Sequence, residues 1–406
     1  MDRYIVPALT EHLREQRQMI FLTGPRQAGK TTLAQSFLRP CVPGENYFNW
    51  DTPEHRRQLL TKIFPGKVAL PGTKDAILVF DEIHKYPRWK NTLKGLFDRY
   101  EPHARWIVTG SAMLNVYRRG QDSLLGRHFT YHLAPFSVSE CLAKTHHILT
   151  PNELSHVEFT APPTEAADAL QVLSHFGGFP EPLFRAESSF LLRWRRTRLE
   201  RLVNQDLAST EVLRHLPLVE QLMFLLPERV GSPLSLNALR EDLEVHFATV
   251  RHWMELLERV FYGFYVRPFG KRGSRLLKKE AKWYLWDWSE LTDPGVRFEN
   301  LVAMHLRKYV DYINDLGLGE LSLHYVRDKE KRESDFLLCA QRKPWLLIEC
   351  KLAERALSPH LVHFAEQLGV SRALQVVASG GSERERRIGK TTYQVVPAPA
   401  LLQWLA

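Results

Sequence analysis

The sequence predicts a mixed α/β protein of several domains, and three observations carry that reading. Over the first 140 residues, short and wholly apolar runs alternate with helical patterns, as buried parallel strands do with their crossover helices. A glycine-rich loop falls between one of those runs and the helix after it. Far down the chain, in "ESDFLLCAQRKPWLLIECK" (333–351), Asp335, Glu349 and Lys351 occupy positions on two apolar strands that core packing would fill with aliphatic side chains.

The bulk numbers bound the answer. A length of 406 residues allows two to four domains, and 44% apolar with 25% charged residues is ordinary for a globular chain. The net charge of +9, from 55 Lys+Arg against 46 Asp+Glu, favours a polyanionic partner only modestly over so long a chain. Cys41, Cys141, Cys339 and Cys350 are far apart, with no C-x-x-C. Neither a disulfide framework nor a zinc site is signalled. His146-His147 reads as solvated loop. The N-terminal stretch has no apolar core of signal-peptide length, and no apolar run approaches a membrane span. The expectation is a cytoplasmic protein with no membrane partner.

The first domain is expected over 1–140. A helix at 7–17 leads into the apolar run "MIFLTG" (19–24), and "AILVFDE" (76–82) and "RWIVTGS" (105–111) follow the same style. "GPRQAGKTT" (24–32) fits G-x-x-x-x-G-K-[ST] in full and stands between strand and helix, the context that gives this motif its meaning. The backbone of Gly24, Pro25, Arg26, Gln27, Ala28 and Gly29 would wrap a phosphate with inward N–H groups, completed by Lys30, Thr31 and Thr32. Lys30 should reach the β- and γ-phosphates of ATP, and the Thr31 hydroxyl should ligate Mg²⁺. After the second run, Asp81 would hold Mg²⁺ and Glu82 would polarise the attacking water. Ser111, preferred to Thr109, would sense the γ-phosphate at the end of the third strand. Arg127 is a candidate arginine finger acting across a subunit interface, with Arg118 and Arg119 as rivals and an ordinary surface role open for each. "GKTT" (389–392) is a decoy, because Arg384 stands where the first glycine should be.

Together "IFLTGPRQAGKTTLAQ", "FDEIHKYPRWKNTLKGLFDRY", "VTGSAMLNV", "LLGRHFTYHLAPFSVSEC" and "HFGGFPEPLF" resemble a widespread prokaryotic family. It joins an AAA-type P-loop ATPase to a C-terminal domain of unknown function. The resemblance covers nearly the whole chain. It implies an AAA-type core, ATP hydrolysis and assembly into a ring or other oligomer. His84 stands where that family usually has Gln.

Residues 141–230 read as a helical lid or linker: a Pro- and Ala-rich loop at 150–170, then helical pattern punctuated by "GGFPEP" (177–182). In "RWRRTRLER" (193–201) the cations spread round a helix with Glu200 among them, and the run reads mostly as a solvated face. Residues 231–292 read as a winged helix. Leu236, Leu239 and Leu243 mark one short helix, and Val250, Trp253, Met254, Leu256 and Leu257 mark a second. Two β-runs then flank "GKRGSRLLKK" (270–279). The polar face around His246, Thr249, Arg251 and His252 would enter a groove, and Lys271, Arg272, Arg275, Lys278 and Lys279 would neutralise nucleic-acid phosphates. A protein-binding role for the same module is the competing reading.

The last domain, 293–406, begins with a helix carrying Glu299. A hairpin turning about Arg342 would set Asp335 opposite Glu349, with Lys351 on the same face as Glu349. Like charges directly opposed destabilise a sheet, and a divalent cation on Asp335 and Glu349 is the natural compensation. Glu299, Asp335, Glu349 and Lys351, with Gln367 as a possible addition, resemble the restriction-endonuclease-like fold, and that resemblance implies a Mg²⁺-dependent nuclease site. Retention of the fold without cutting is equally open. The whole reading is an oligomeric, DNA-remodelling or DNA-translocating ATPase. Its alternatives are a nuclease gated by the ATPase, and a nucleotide-dependent switch that binds a protein partner.

Overall fold

The computed structural model describes residues 3–38, 40–61, 76–100, 104–110, 124–142, 147–207, 215–270, 280–353, 356–380 and 385–406. Ser111, Arg118, Arg119, Lys271, Arg272, Arg275, Lys278 and Lys279 lie outside the described residues. The chain forms two compact units, Asp2–Ala134 and Pro135–Ala406.

In the first unit five strands, β1 (Met19–Thr23), β2 (Tyr47–Asn49), β3 (Ala76–Asp81), β4 (Ala104–Thr109) and β5 (His128–His132), form one sheet in the order β2-β3-β4-β1-β5. Every pairing is parallel. All five side chains of β1 are buried, as a strand covered on both faces requires. On one face the aromatic side chains of neighbouring strands stack across the ladder. Phe48 lies 5.5 Å from Phe80, and Phe80 lies 5.4 Å from Trp106, both pairs stacked. The helix Trp89–Tyr100 buries Trp89, Thr92, Leu93, Leu96 and Phe97, the i, i+3, i+4, i+7, i+8 stripe of a helix laid on a sheet. The α/β class and the parallel core stand as expected.

The second unit begins with helices and ends with a larger sheet. The expected pair of helices is present as Leu236–Asp242 and Phe247–Arg259. Ser235 caps the first, accepting from the Ala238 N–H at 3.4 Å. Val250, Trp253, Met254, Leu256 and Leu257 form the buried face of the second. Then come β6 (Gly263–Pro268) and β7 (Lys282–Leu285), an antiparallel pair. The helix Pro294–Asp315 follows, with Asp293 accepting from the Val296 N–H at its start. The remaining strands are β8 (Leu321–Arg327), β9 (Glu333–Ala340), β10 (Lys343–Lys351), β11 (Arg372–Val377), β12 (Arg386–Ile388) and β13 (Thr391–Pro397). The sheet order is β12-β13-β11-β10-β9-β8-β6-β7. β8, β9 and β10 are an antiparallel meander, and β11 joins β10 in parallel beyond the helix Pro359–Leu368.

The expected divisions at 230 and 292 both fall within the unit Pro135–Ala406. β6 pairs with β8 at Arg267 with His324 and Pro268 with Tyr325, which carries one sheet from the hairpin into the last domain. One revision concerns the arginine-rich helix Ser188–Arg201. Arg193, Arg196 and Arg201 are exposed, but Arg198 is buried, with Nη1 3.1 Å from Glu290 Oε1 and its guanidinium 4.3 Å from the centre of the Phe179 ring. A charge in the interior is tolerable when met by a carboxylate and a π-face.

Candidate nucleotide site and the C-terminal acid cluster

The end of β1 runs straight into the loop. Gly24 leaves the strand at φ +147°, Gln27 stands at φ +62°, and Gly29 turns at φ +96° into the helix Lys30–Ser36. Lys30, buried, donates from Nζ to the Gly24 carbonyl at 2.8 Å and the Pro25 carbonyl at 2.7 Å. The ammonium is thus folded onto the loop's own carbonyls. Thr31 Oγ1 donates to Asp81 Oδ2 at 3.0 Å, so the two expected metal ligands face each other where β3 ends beside the loop.

Two residues that the motifs did not point to surround Asp81. Tyr47 donates to Asp81 Oδ2 at 2.8 Å, and Asn49 Nδ2 to the same oxygen at 3.3 Å. Both come from β2, whose register sets Asn49 beside Asp81. Thr109 donates its hydroxyl to Asp81 Oδ1; the residue placed second to Ser111 therefore has a partner in the site. Burial, and then the Asp81 charge, hold the Tyr47 phenol well above its ordinary range, so it remains a donor. A carboxylate and a hydroxyl are hard oxygen donors, the set that suits Mg²⁺, and the residues present fit that ion.

Glu82 sits at φ +56°, a strained conformation for a residue with a Cβ. Lys85 Nζ is 3.1 Å from Glu82 Oε2 and 2.5 Å from Asp51 Oδ2. His84 Nε2 lies 3.9 Å from Glu82 Oε2. Burial alone would raise the Glu82 carboxyl, but His84, Lys85, Lys30 and Arg26 outweigh it and hold the group below its usual range. Burial also pushes His84 down to about 4. Glu82 is therefore ionised at pH 7, the state a general base needs.

Arg127 is at the other edge of the sheet. Its carbonyl accepts from the Met19 N–H at 2.8 Å, at the beginning of β1, while the loop follows the end of that strand. The five residues between put it roughly 15 Å from its own phosphate loop. Its guanidinium binds Asp98 at 2.7 and 3.2 Å.

In the C-terminal sheet the structure brings Glu299, Asp335, Glu349 and Lys351 into one neighbourhood. The turn is at Gln341-Arg342, both with positive φ, half a residue from the expected centre. A bulge between Pro344 and Leu346 restores the balance: Ile348 pairs with Phe336, and the next step along the ladder is Glu349 beside Asp335. Burial, and then the Asp335 charge, raise both Glu299 and Glu349 above the usual carboxylate range. Lys351 Nζ lies 3.2 Å from Glu349 Oε1. Sequence reasoning missed Lys282 and Glu333. Lys282 Nζ reaches Glu333 Oε1 at 2.7 Å, Glu299 Oε1 at 3.2 Å and Asp335 Oδ1 at 3.7 Å. Lys282 thus sets an ammonium beside Asp335. Among the described residues, no group of three or more His, Cys, Asp or Glu is arranged to hold a metal ion. Also among them, no helix is long and apolar enough to cross a membrane.

Residues 16–142 match the family described as AAA domain. Residues 168–292 and 294–401 match two domains of unknown function, DUF8612 and DUF4143. Uncharacterized proteins of Mycobacterium tuberculosis and Mycobacterium bovis are each 26% identical over 270 residues, 66% of this chain and 54% of theirs. An uncharacterized Haemophilus influenzae protein is 21% identical over 287 residues, 66% of each chain. The chain spans about half the length of the mycobacterial relatives it matches. Among solved structures, the Aeropyrum pernix Orc1 protein in complex with DNA is 14% identical, covering 75% of this chain and 93% of that one, at a TM-score of 0.33. The Bacillus subtilis DNA clamp loader delta protein is 10% identical, covering 77% and 99%, at 0.25. Likeness at these scores carries no functional inference. Residues 16–142 are thus similar in sequence to AAA domains, and this segment carries the parallel five-stranded sheet with the phosphate loop at the end of β1.

Proposed function

We propose that the chain hydrolyses ATP with Mg²⁺ at the end of β1, in the manner of an AAA-type ATPase. The observation that carries this reading is the corner at which Thr31 and Asp81 share a hydrogen bond, with ionised Glu82 next in the chain. The N–H groups of the loop 24–29, in which Pro25 has none to offer, bind the phosphates, and Lys30 leaves the Gly24 and Pro25 carbonyls for the β- and γ-oxygens. Thr31 and Asp81 would hold Mg²⁺, which would supply charge neutralisation on the phosphate oxygens. Glu82 accepts a proton from the attacking water at its carboxylate, and water plus ATP gives ADP, phosphate and a proton. Arg127 is too far from its own loop to act there, which supports its use on a neighbouring subunit in an oligomer.

The basic stretch 270–279 and the net charge of +9 support DNA as the polyanion on which this turnover acts. The paired helices followed by the β6–β7 hairpin support reading 231–292 as a winged helix. The order helix, three-stranded meander, helix, parallel strand supports a restriction-endonuclease-like fold for the last domain.

The test is ATP turnover with Mg²⁺, alone and with duplex, forked and single-stranded DNA across a salt series. Wild type should turn over, and Glu82→Gln should bind ATP and retain it unhydrolysed. Unchanged turnover in Glu82→Gln would remove that residue as the base. No turnover under any condition would end the reading. Turnover indifferent to every DNA at low salt would leave the ATPase and discard the DNA partner.

A further inference from the structure

Lys282 opens β7, and it is 1% exposed. An ammonium taken out of water is costly unless carboxylates surround it closely. Lys282 has three, from two different elements: Glu299 on the helix Pro294–Asp315, and Glu333 and Asp335 on β9. The acids are themselves held in place. Tyr284 donates to Glu299 Oε1 at 2.6 Å, and the Cys350 N–H donates to Asp335 Oδ2 at 2.8 Å. Glu349, on the far side of Asp335, has its own lysine in Lys351. Four acids, Glu299, Glu333, Asp335 and Glu349, thus meet Lys282 and Lys351, with Arg327 3.4 Å from Glu333, and the cation shared by Glu299, Glu333 and Asp335 is part of the chain. A divalent ion on Asp335 and Glu299 would stand within a few ångströms of the Lys282 ammonium, and the repulsion between like charges in so dry a place is strong.

We propose that Lys282 is the resident counter-ion of the C-terminal acid cluster, so that Glu299 and Asp335 bind an internal ammonium in place of Mg²⁺ and thereby fasten the β6–β7 hairpin to the C-terminal sheet. The group of Lys282, Glu299, Glu333 and Asp335 then serves as a charged fastening. This inference is independent of the ATPase reading and survives or fails without it.

The test counts Mn²⁺ bound to the full chain without nucleotide, by electron paramagnetic resonance, in wild type, Asp335→Asn, Lys282→Met and the double variant. Any Mn²⁺ held by the nucleotide site is common to all four and cancels. Wild type and Asp335→Asn should bind the same number. Lys282→Met should bind one more, and the double variant should lose it. A wild-type ion that disappears in Asp335→Asn overturns the proposal. So does a Lys282→Met protein with wild-type circular dichroism that gains no ion. Should Lys282→Met fail to fold, the comparison of wild type with Asp335→Asn decides alone, and Glu349→Gln repeats it on the opposing strand.

Discussion

Replacing Gly24 with alanine tests the architecture of the phosphate loop where it is least forgiving. A Cβ at this position would lie 2.2 Å from the Leu133 carbonyl oxygen and 3.1 Å from its carbon, whereas real Cβ atoms essentially never come closer than 3.0 Å. The neighbour cannot turn aside, because it is backbone, and the Leu133 N–H is bonded to the Thr23 carbonyl at 2.8 Å. One of two backbones must therefore move by about 0.8 Å. The φ of +147° adds a second cost. Backbone strain of this kind is worth about 1–3 kcal/mol, and forced overpacking about as much again. Gly24→Ala should lose roughly 2–6 kcal/mol in urea unfolding, and a fluorescent ATP analogue should bind at least tenfold more weakly because the loop amides are displaced. Gly126→Ala is the control: its φ is +75° with nothing within 4 Å of the added carbon, so only the conformational cost of about 1–2 kcal/mol remains. Gly24→Ala unfolding within 1 kcal/mol of wild type (roughly the cost of an ordinary surface change) while binding nucleotide normally would refute the reasoning.

Lys30→Ala removes the ammonium that bridges two loop carbonyls before ATP arrives and should weaken ATP binding about 10- to 150-fold, the worth of a charged hydrogen bond at roughly 1.5–3 kcal/mol; a titration shows it, and equal affinity would discard the lysine's role. Tyr47→Phe deletes one donor to the Asp81 carboxylate and should cost about 1–3 kcal/mol in urea unfolding, with no change in midpoint counting against the interaction. His84 is held down to about 4 by burial, below its unfolded value near 6.5, so its contribution is full above pH 6.5 and is lost as pH falls toward 4. The loss amounts to about 3 kcal/mol. His84→Gln should flatten the decline of unfolding free energy across that window, and identical slopes in variant and wild type would show that the imidazole does not titrate there.

What could be read in advance, and what could not, follows from the range over which each signal acts. The loop at 24–32 and the pair Asp81-Glu82 announce themselves because strand, loop and helix are contiguous in sequence. Tyr47 and Asn49 do not. They sit on a three-residue strand without a motif, and only the pairing of β2 with β3 brings them to Asp81. Arg198 was taken with its helix as solvated for the same reason, since the acid that receives it, Glu290, is 92 residues away. The hairpin teaches a different point. Its turn was misplaced by half a residue, yet the bulge after Pro344 returned Asp335 and Glu349 to opposition. A symmetric count along two strands is safe only when the number of irregularities is known.

Lys282 bears most directly on the acid cluster, and no motif in the sequence points to it. It follows the basic stretch 270–279 closely, and a cation there is easily counted with its neighbours as one more phosphate contact. But β7 is buried at every position, Lys282, Trp283, Tyr284 and Leu285. A lysine opening a wholly buried strand is the same anomaly as an acid on an apolar one, with the opposite sign. The opposed carboxylates of β9 and β10 raised the question of what neutralises them, and a misplaced cation elsewhere in the chain was half of the answer. Anomalies of opposite charge on separate buried strands are therefore candidates for each other before they are candidates for a metal, because an ion pair within the chain needs no ligand from solution and forms in the act of folding.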